Sequence, residues 1–124
     1  TSGKRGLHVV IPIVPKYSFG ETRAYARAIG EQLAKEEAEI VTTEFAKGRK
    51  SGKVFVDYLQ NSHGRTMVSP YSLRAVQEAS VSTPLNWGEV KKRIKPTAFN
   101  IFSVVERQDA WRGILGEKQE LEVE

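Results

Sequence analysis

The stretch Val54-Phe55-Val56-Asp57-Tyr58-Leu59-Gln60-Asn61 runs three large apolar residues directly into an aspartate. Apolar β-branched and aromatic residues favour a strand, so the pattern predicts a central strand over about residues 53–59. An aspartate at the end of a strand is held rigidly, which suits the binding of a hard divalent cation. Only two of the fifteen acidic residues are aspartates, and Asp57 is the one with strand-type neighbours. The alternative is an aspartate that ends the strand and opens an Asx-type turn.

The composition favours one globular domain. The chain has 124 residues, 40% of them hydrophobic and 27% charged, which is enough to bury a core. No apolar run approaches the roughly 18 residues of a membrane span, and no secretory signal pattern is present. The chain has no cysteine and only two histidines, which excludes disulfides and leaves little for a zinc site. The absence of cysteine fits a reducing cytosol, so we expect a cytoplasmic protein without a membrane partner.

Two clusters of cations stand out in a chain of net charge +4. One lies just before the central strand and the other follows a predicted short helix. Their members are Lys47, Arg49, Lys50 and Lys53 in the first, and Lys91, Lys92, Arg93 and Lys95 in the second. Such clusters are typical of surfaces that bind a polyanion, and we expect the first cluster to contact nucleic acid rather than nucleotide. The alternative for either cluster is a solvated loop that keeps the protein soluble.

A glycine-rich basic loop, Ser2-Gly3-Lys4-Arg5-Gly6, opens the chain and is called the glycine loop below. Its glycines let the backbone approach a ligand, and its hydroxyl, N–H groups and cations complement phosphate. The alternative is a plain surface loop. Residues 7–14 then predict a strand interrupted by Pro12. His8 on that strand is either a functional ring or a half-buried one with an ordinary hydrogen bond.

The clearest secondary-structure pattern is that of an amphipathic helix over about residues 19–38. Ser18 and Glu21 have the spacing of a capping box. Tyr25, Ile29 and Leu33 recur every four residues and predict the face that packs on the core. Gly30 lowers the helix propensity, so it predicts a close approach to the sheet.

The remaining elements predict an α+β fold with a mixed or antiparallel sheet and flanking helices. Residues 40–43 predict a short strand or a last ordered turn, and residues 66–69 a strand that closes a hairpin with the central strand. That hairpin would return Arg74 toward the edge that carries Asp57. Residues 81–85 predict a proline-bearing linker, and residues 98–105 a strand or a helix. Asn86 is a candidate cap for a short helix.

Four stretches, in this order, resemble segments of the archaeo-eukaryotic primase superfamily, most closely the polymerase domain of DNA ligase D. The first resembles the superfamily's Ser…His motif and the second its final metal-aspartate strand. The stretches are Ser2-Gly3-Lys4-Arg5-Gly6-Leu7-His8-Val9, Val54-Phe55-Val56-Asp57-Tyr58-Leu59-Gln60-Asn61, Pro70-Tyr71-Ser72-Leu73-Arg74 and Val81-Ser82-Thr83-Pro84-Leu85-Asn86-Trp87. The likeness covers nearly the whole chain and implies a primase-polymerase-like catalytic subdomain.

The resemblance also implies roles for single residues. Asp57 stands at the position of a catalytic carboxylate that binds metal in a two-metal nucleotidyl-transfer site. Ser2, Arg5 and His8 stand at positions that hold the phosphates of the incoming nucleotide, although relatives usually have Lys at the position of Arg5. Arg74 stands at a family arginine near the triphosphate.

Three further positions compare less directly. Gln60 lies where relatives have a polar or basic residue close to the nucleotide, so we include it among the nucleotide-binding residues. Lys50 lies where relatives often have Arg. Many relatives carry a second arginine where this chain has Val76, which removes the paired-arginine clamp that they imply.

The implied metal site needs an Asp-x-Asp pair ahead of the Ser…His motif, and these 124 residues contain none. One aspartate cannot hold two Mg²⁺ or Mn²⁺ ions. Because the chain begins at Thr1, without Met and within a motif, we expect one segment, residues 1–124, that is the C-terminal portion of a primase-polymerase domain. We expect this segment to be inactive alone and the missing upstream half to supply the other ligands.

The leading hypothesis is therefore part of an end-joining repair polymerase that adds ribo- or deoxynucleotides to DNA ends. Its implied partners are primer-template DNA ends, nucleoside triphosphates, a ligase and Ku-type end-joining proteins. A non-catalytic basic module that binds nucleic acid is the alternative from another class. A third hypothesis is a core fragment without activity.

Overall fold

The longest element is helix α1, which spans Phe19–Glu36. The structure is a computed structural model, and it describes residues 1–46, 52–90 and 93–122. The chain forms two compact units. The first unit contains Thr1–Ile13 and Val68–Gln119, and the second contains Val14–Met67 and the residues from Glu120 onward. Among the described residues, no helix is both long and apolar enough to cross a bilayer.

Helix α1 begins with the predicted capping box. The Glu21 N–H donates to Ser18 Oγ over 3.3 Å, and the Ser18 N–H donates to Glu21 Oε2 over 2.7 Å. Each side chain thus satisfies a backbone donor that the first helical turn leaves without a partner. The carboxylate of Glu21 also lies at the positive end of the helix dipole. The predicted helix and its cap are confirmed.

The sheet of the second unit has two short strands, β1 at Val41–Thr42 and β2 at Val54–Phe55. They are parallel, with Val41 opposite Val54 and Thr42 opposite Phe55. The prediction of a mixed or antiparallel sheet was therefore wrong, while the α+β class is confirmed. Among the described residues, antiparallel pairing occurs only as isolated bridges.

The predicted central strand is shorter than its apolar pattern indicates. The Val56 N–H still donates to Thr42 O over 2.9 Å, but the Tyr58 N–H already turns back to Val56 O. A 3₁₀ helix follows at Tyr58–Gln60, and no strand is present at residues 66–69. The hairpin prediction was wrong because the chain forms the 3₁₀ helix directly after β2, and no returning strand follows the turn at residues 63–64.

Gly30 is the buried residue of α1, and it explains how the helix packs. A Cβ atom at this position would lie 3.0 Å from Val56 Cγ1 and 3.1 Å from Thr43 Cγ2. The predicted close approach to the sheet is confirmed. Ile29 and Leu33 remain 37% and 40% exposed, so the helix does not pack through the face that they were predicted to form. The helix contacts the sheet through its smallest residue because only that residue allows so short a distance.

In the first unit, residues 80–84 form the longest run of buried residues in the described part of the chain. Val81 is 2% exposed and is the buried hydrophobic residue among those described. Isolated antiparallel bridges pair Val81 with Leu73, and Ser80 with Asn100. The prediction of a linker over residues 81–85 was wrong because paired backbone on both sides covers this segment.

Residues 7–14 were predicted to form a strand, but they contribute only an isolated parallel bridge between Ile13 and Gln119. Pro12 has no N–H to donate and takes part through its carbonyl, which accepts from the Gln119 N–H over 3.0 Å. The described residues also form two more 3₁₀ helices, at Trp87–Glu89 and Ile114–Gly116. Asn86 occupies the N-cap position of the first of these, as predicted, and its N–H donates to Glu89 Oε2 over 2.9 Å. Residues 98–105 contain an isolated bridge at Asn100 followed by turns, and neither the predicted strand nor the predicted helix is present.

Candidate functional site

Ser2 organises the glycine loop in the first unit. Its side chain is buried, and its Oγ accepts from the N–H groups of Lys4, Arg5 and Gly6 over 3.3, 3.2 and 3.1 Å. The Ser2 N–H in turn donates to Gly6 O over 2.8 Å. These three N–H groups, which were expected to be available to phosphate, are therefore used within the loop. The hydroxyl of Ser2 keeps its own proton for donation.

Gly3 lies against the segment that carries Arg74. A Cβ atom at Gly3 would lie 2.7 Å from Arg74 Cγ and 2.9 Å from the Ser82 backbone nitrogen. Gly3 also has a positive φ of 70°, which favours glycine. A side chain at this position would therefore collide with Arg74. Two arginines that were predicted from separate motifs therefore lie on neighbouring backbone segments of the first unit. Arg5 is exposed and Arg74 is half-buried.

His8 is affected by the same arginine. The residue is exposed as a whole, but desolvation around its ring lowers its pKa, and the positive charges of the Thr1 ammonium and Arg74 lower it further. The imidazole is therefore neutral down to a lower pH than an ordinary histidine. A neutral ring can donate one hydrogen bond and accept another. Arg74 therefore lies against the glycine loop and is also near enough to His8 for its charge to act on the imidazole.

Asp57 and Gln60 belong to the second unit. Asp57 is exposed and precedes the 3₁₀ helix that contains Gln60, so its carboxylate follows β2 by two residues. Gln60 Nε2 donates to Thr66 O over 2.6 Å, which holds the turn after the 3₁₀ helix. Within the described ranges, no group of three or more His, Cys, Asp or Glu side chains could hold a metal ion.

Lys53 is the one member of the first basic cluster that lies within the described residues. Its Nζ donates to the backbone carbonyl of Ala38, so this lysine connects the turn after α1 with the residue that precedes β2. Lys47, Arg49 and Lys50 lie outside the described residues. Their predicted contact with nucleic acid stays a prediction.

The sequence interpretation missed the residues that hold the glycine loop from the other side. Ser82 Oγ donates to Thr1 O over 3.1 Å, and Ser80 Oγ donates to Gly3 O. Ser80 and Thr83 are 0% and 1% exposed, which is unusual for residues with hydroxyls. The signal was the Ser80-Val81-Ser82-Thr83 sequence itself, because a run of short hydroxyl side chains can hydrogen-bond nearby backbone. The proline that follows led to its interpretation as a linker.

The family comparison agrees with the motifs placed above. The family model of the LigD primase-polymerase domain matches residues 1–114. The chain belongs to this LigD primase-polymerase family. The match includes the glycine loop, the Asp57 segment and residues 70–87, so it covers both compact units. The predicted resemblance to the polymerase domain of DNA ligase D is confirmed.

Curated relatives within the family are LigD proteins of bacteria. The chain is 35% identical over 107 residues to the bifunctional non-homologous end joining protein LigD of Bacillus subtilis, covering 86% of this chain and 18% of that protein. It is 36% identical over 90 residues to the multifunctional LigD of Mycolicibacterium smegmatis, covering 73% and 12%. It is 31% identical over 127 residues to the multifunctional LigD of Pseudomonas aeruginosa, covering 98% and 15%. The chain therefore spans less than a fifth of the length of these LigD relatives.

Proposed function

We propose that this chain is the nucleotide-binding part of a LigD-type polymerase that adds nucleotides to DNA ends in non-homologous end joining. The observation that carries the proposal is the cationic region of the first unit. There, the glycine loop with the exposed Arg5 packs against Arg74, and the charge of Arg74 acts on His8. Cations beside neutral donors complement a triphosphate, whose oxygens are acceptors with high negative charge.

Asp57 would contribute one ligand to a Mg²⁺ or Mn²⁺ site. The fit is incomplete, because two divalent ions need several acidic ligands and the described residues offer no group of three. The remaining carboxylates would have to come from outside the described residues. For that reason we assign triphosphate binding to this chain and derive no catalytic step through a metal within it. DNA ends, a ligase and Ku-type end-joining proteins would be the partners of the complete enzyme.

The test is the affinity of the 124-residue chain for a fluorescent nucleoside triphosphate, measured with and without Mn²⁺. We expect Arg5→Ala to weaken binding about tenfold, as the loss of one charge-assisted hydrogen bond would. Arg5→Lys should retain most of the affinity, because the charge remains. Arg93→Ala, at an exposed arginine of the same unit, is the matched control and should bind like the wild type.

A different outcome would favour the alternative function. The net charge of +4 also suits a basic module that binds nucleic acid without nucleotide. Such a module would bind DNA with a steep salt dependence and would be indifferent to Mn²⁺ and to triphosphate. An unaltered affinity for triphosphate in Arg5→Ala would contradict the proposed function.

A further inference from the structure

Ser80 lies where the two elements of the proposed triphosphate site meet. Its hydroxyl donates to the carbonyl of Gly3, at the centre of the glycine loop. Its own carbonyl accepts from the Arg74 N–H over 2.8 Å. Ser80 is 0% exposed and therefore unavailable to a ligand. One buried residue thus bonds both the loop that carries Arg5 and the backbone that carries Arg74.

The segment around Ser80 is itself held firmly. The Val81 N–H donates to Phe99 O over 2.8 Å, and Ser80 is bridged to Asn100. On the other side, the Ser82 N–H donates to Ser72 O over 2.9 Å. Because neighbours on both sides fix this backbone, the hydroxyl of Ser80 is presented to Gly3 from a rigid support.

We propose that Ser80 is a positioning residue, which sets the distance between the glycine loop and Arg74 so that both can contact one triphosphate. This inference rests on the proposed function, since it concerns the same site. Ser80 does not contact the ligand. It acts through the Gly3 carbonyl on one side and the Arg74 N–H on the other.

The two connections can be separated by substitution. Ser80→Ala removes the hydroxyl and leaves the Gly3 carbonyl without that donor, while the backbone bond from Arg74 to residue 80 remains. A buried acceptor without a partner is costly, so the loop gains alternative positions. We therefore expect Ser80→Ala to loosen the glycine loop and to leave the backbone of Arg74 in place.

A matched control exists three residues further along. Thr83 is 1% exposed, and its Oγ1 donates to Val81 O over 2.9 Å, within its own segment. Thr83→Val therefore removes an equally buried hydroxyl and one hydrogen bond without touching the glycine loop. A purely structural loss should be similar in the two variants. A positioning effect should appear only in Ser80→Ala.

The experiment measures the affinity of the 124-residue chain for a fluorescent nucleoside triphosphate with Mn²⁺, below the melting temperature of every variant. We expect Ser80→Ala to bind about three- to tenfold more weakly and Thr83→Val to bind like the wild type. The loss of affinity caused by Ser80→Ala should be smaller in the Arg5→Ala background, because Ser80 acts through the loop that carries Arg5. Amide hydrogen exchange should become faster at Lys4, Arg5 and Gly6 in Ser80→Ala alone.

The outcomes separate this inference from the proposed function. No binding by the wild type would overturn the proposed function, and the exchange rates would still show whether Ser80 holds the loop. Binding by the wild type and equal binding by Ser80→Ala would overturn the positioning role alone. Equal weakening in Ser80→Ala and Thr83→Val would also overturn it. If Ser80→Ala does not fold, Ser80→Cys, with a weaker donor of similar size, replaces it, and wild-type affinity in that variant would overturn the role.

Discussion

At the scale of single residues, the charge of His8 depends on its surroundings in the first unit. Desolvation, the Thr1 ammonium and Arg74 all lower its pKa, so each disfavours the imidazolium. The folded state then binds fewer protons than the unfolded chain. The contribution of His8 to stability is complete above the ordinary histidine pKa of about 6.5 and is lost as pH falls toward the folded pKa.

This gives a direct titration experiment. We expect the His8 Cε1–H resonance to titrate below the ordinary value, and Arg74→Gln to move the midpoint upward, because one of the lowering charges is removed. Arg93→Gln, at another arginine of the first unit, should leave the midpoint unchanged. A midpoint that does not respond to Arg74→Gln would show that the two side chains do not interact.

Asp57 is the second residue with a specific expectation. In a longer protein that contains these residues and an Asp-x-Asp pair, Asp57→Asn should reduce nucleotide addition to background. An amide offers a hard divalent cation only a dipole in place of a full negative charge. Because Asp57 is exposed, the substitution should leave the melting temperature within about 1–2 °C of the wild type.

Primer extension with Mn²⁺ measures this effect. Asp109→Asn is the matched control, because Asp109 is the other aspartate of the chain and accepts a hydrogen bond from the Tyr71 hydroxyl over 2.7 Å. It should retain nucleotide addition. Extension by Asp57→Asn at the wild-type rate would exclude Asp57 from the metal site.

At the scale of elements, the contact of α1 with the sheet depends on Gly30. Helix propensity alone would make Gly30→Ala stabilising by about 1 kcal/mol. The new Cβ would lie 3.0 and 3.1 Å from Val56 and Thr43, whose β-branched side chains cannot easily rotate away. We expect the steric cost to dominate and Gly30→Ala to lower the free energy of unfolding by about 1 kcal/mol.

The control for this substitution is in the same helix. A Cβ at Gly20 would meet only Ser18 Oγ at 3.7 Å, which is an ordinary contact. Gly20→Ala should therefore raise the free energy of unfolding, by up to about 1 kcal/mol. Denaturation followed by circular dichroism at 222 nm compares the two variants. A gain in stability from both alanines would show that the sheet yields to the helix.

At the scale of the whole molecule, the predicted binding of DNA depends on the positive charge of the first basic cluster. Replacing Lys47, Arg49 and Lys50 by Ala should weaken DNA binding and flatten its salt dependence by up to about 2 to 3 in the log–log slope, because contacts with phosphates release counterions. The control replaces Lys91, Lys92 and Arg93, which changes the net charge equally. Fluorescence anisotropy over a range of salt concentrations measures both. Equal slopes in the two triple variants would mean that net charge alone governs binding.

The sequence by itself determined the features that depend on near neighbours along the chain. The spacing of Ser18 and Glu21 sets the start of α1, because a capping box involves residues three apart. A glycine within a good helix correctly predicted close packing. The order of the motifs likewise predicted the family, which the match over residues 1–114 confirmed.

Only the tertiary structure decided how distant segments pair. Strand β2 pairs in parallel with β1, which begins at Val41. No pattern within β2 itself distinguishes a parallel from an antiparallel neighbour. The same holds for Ser80, whose partner Gly3 lies 77 positions away. A serine before a proline-bearing segment favours a loop when judged locally. It became a buried support because the folded chain supplies a backbone acceptor that satisfies its hydroxyl, and that acceptor exists only once both segments have met.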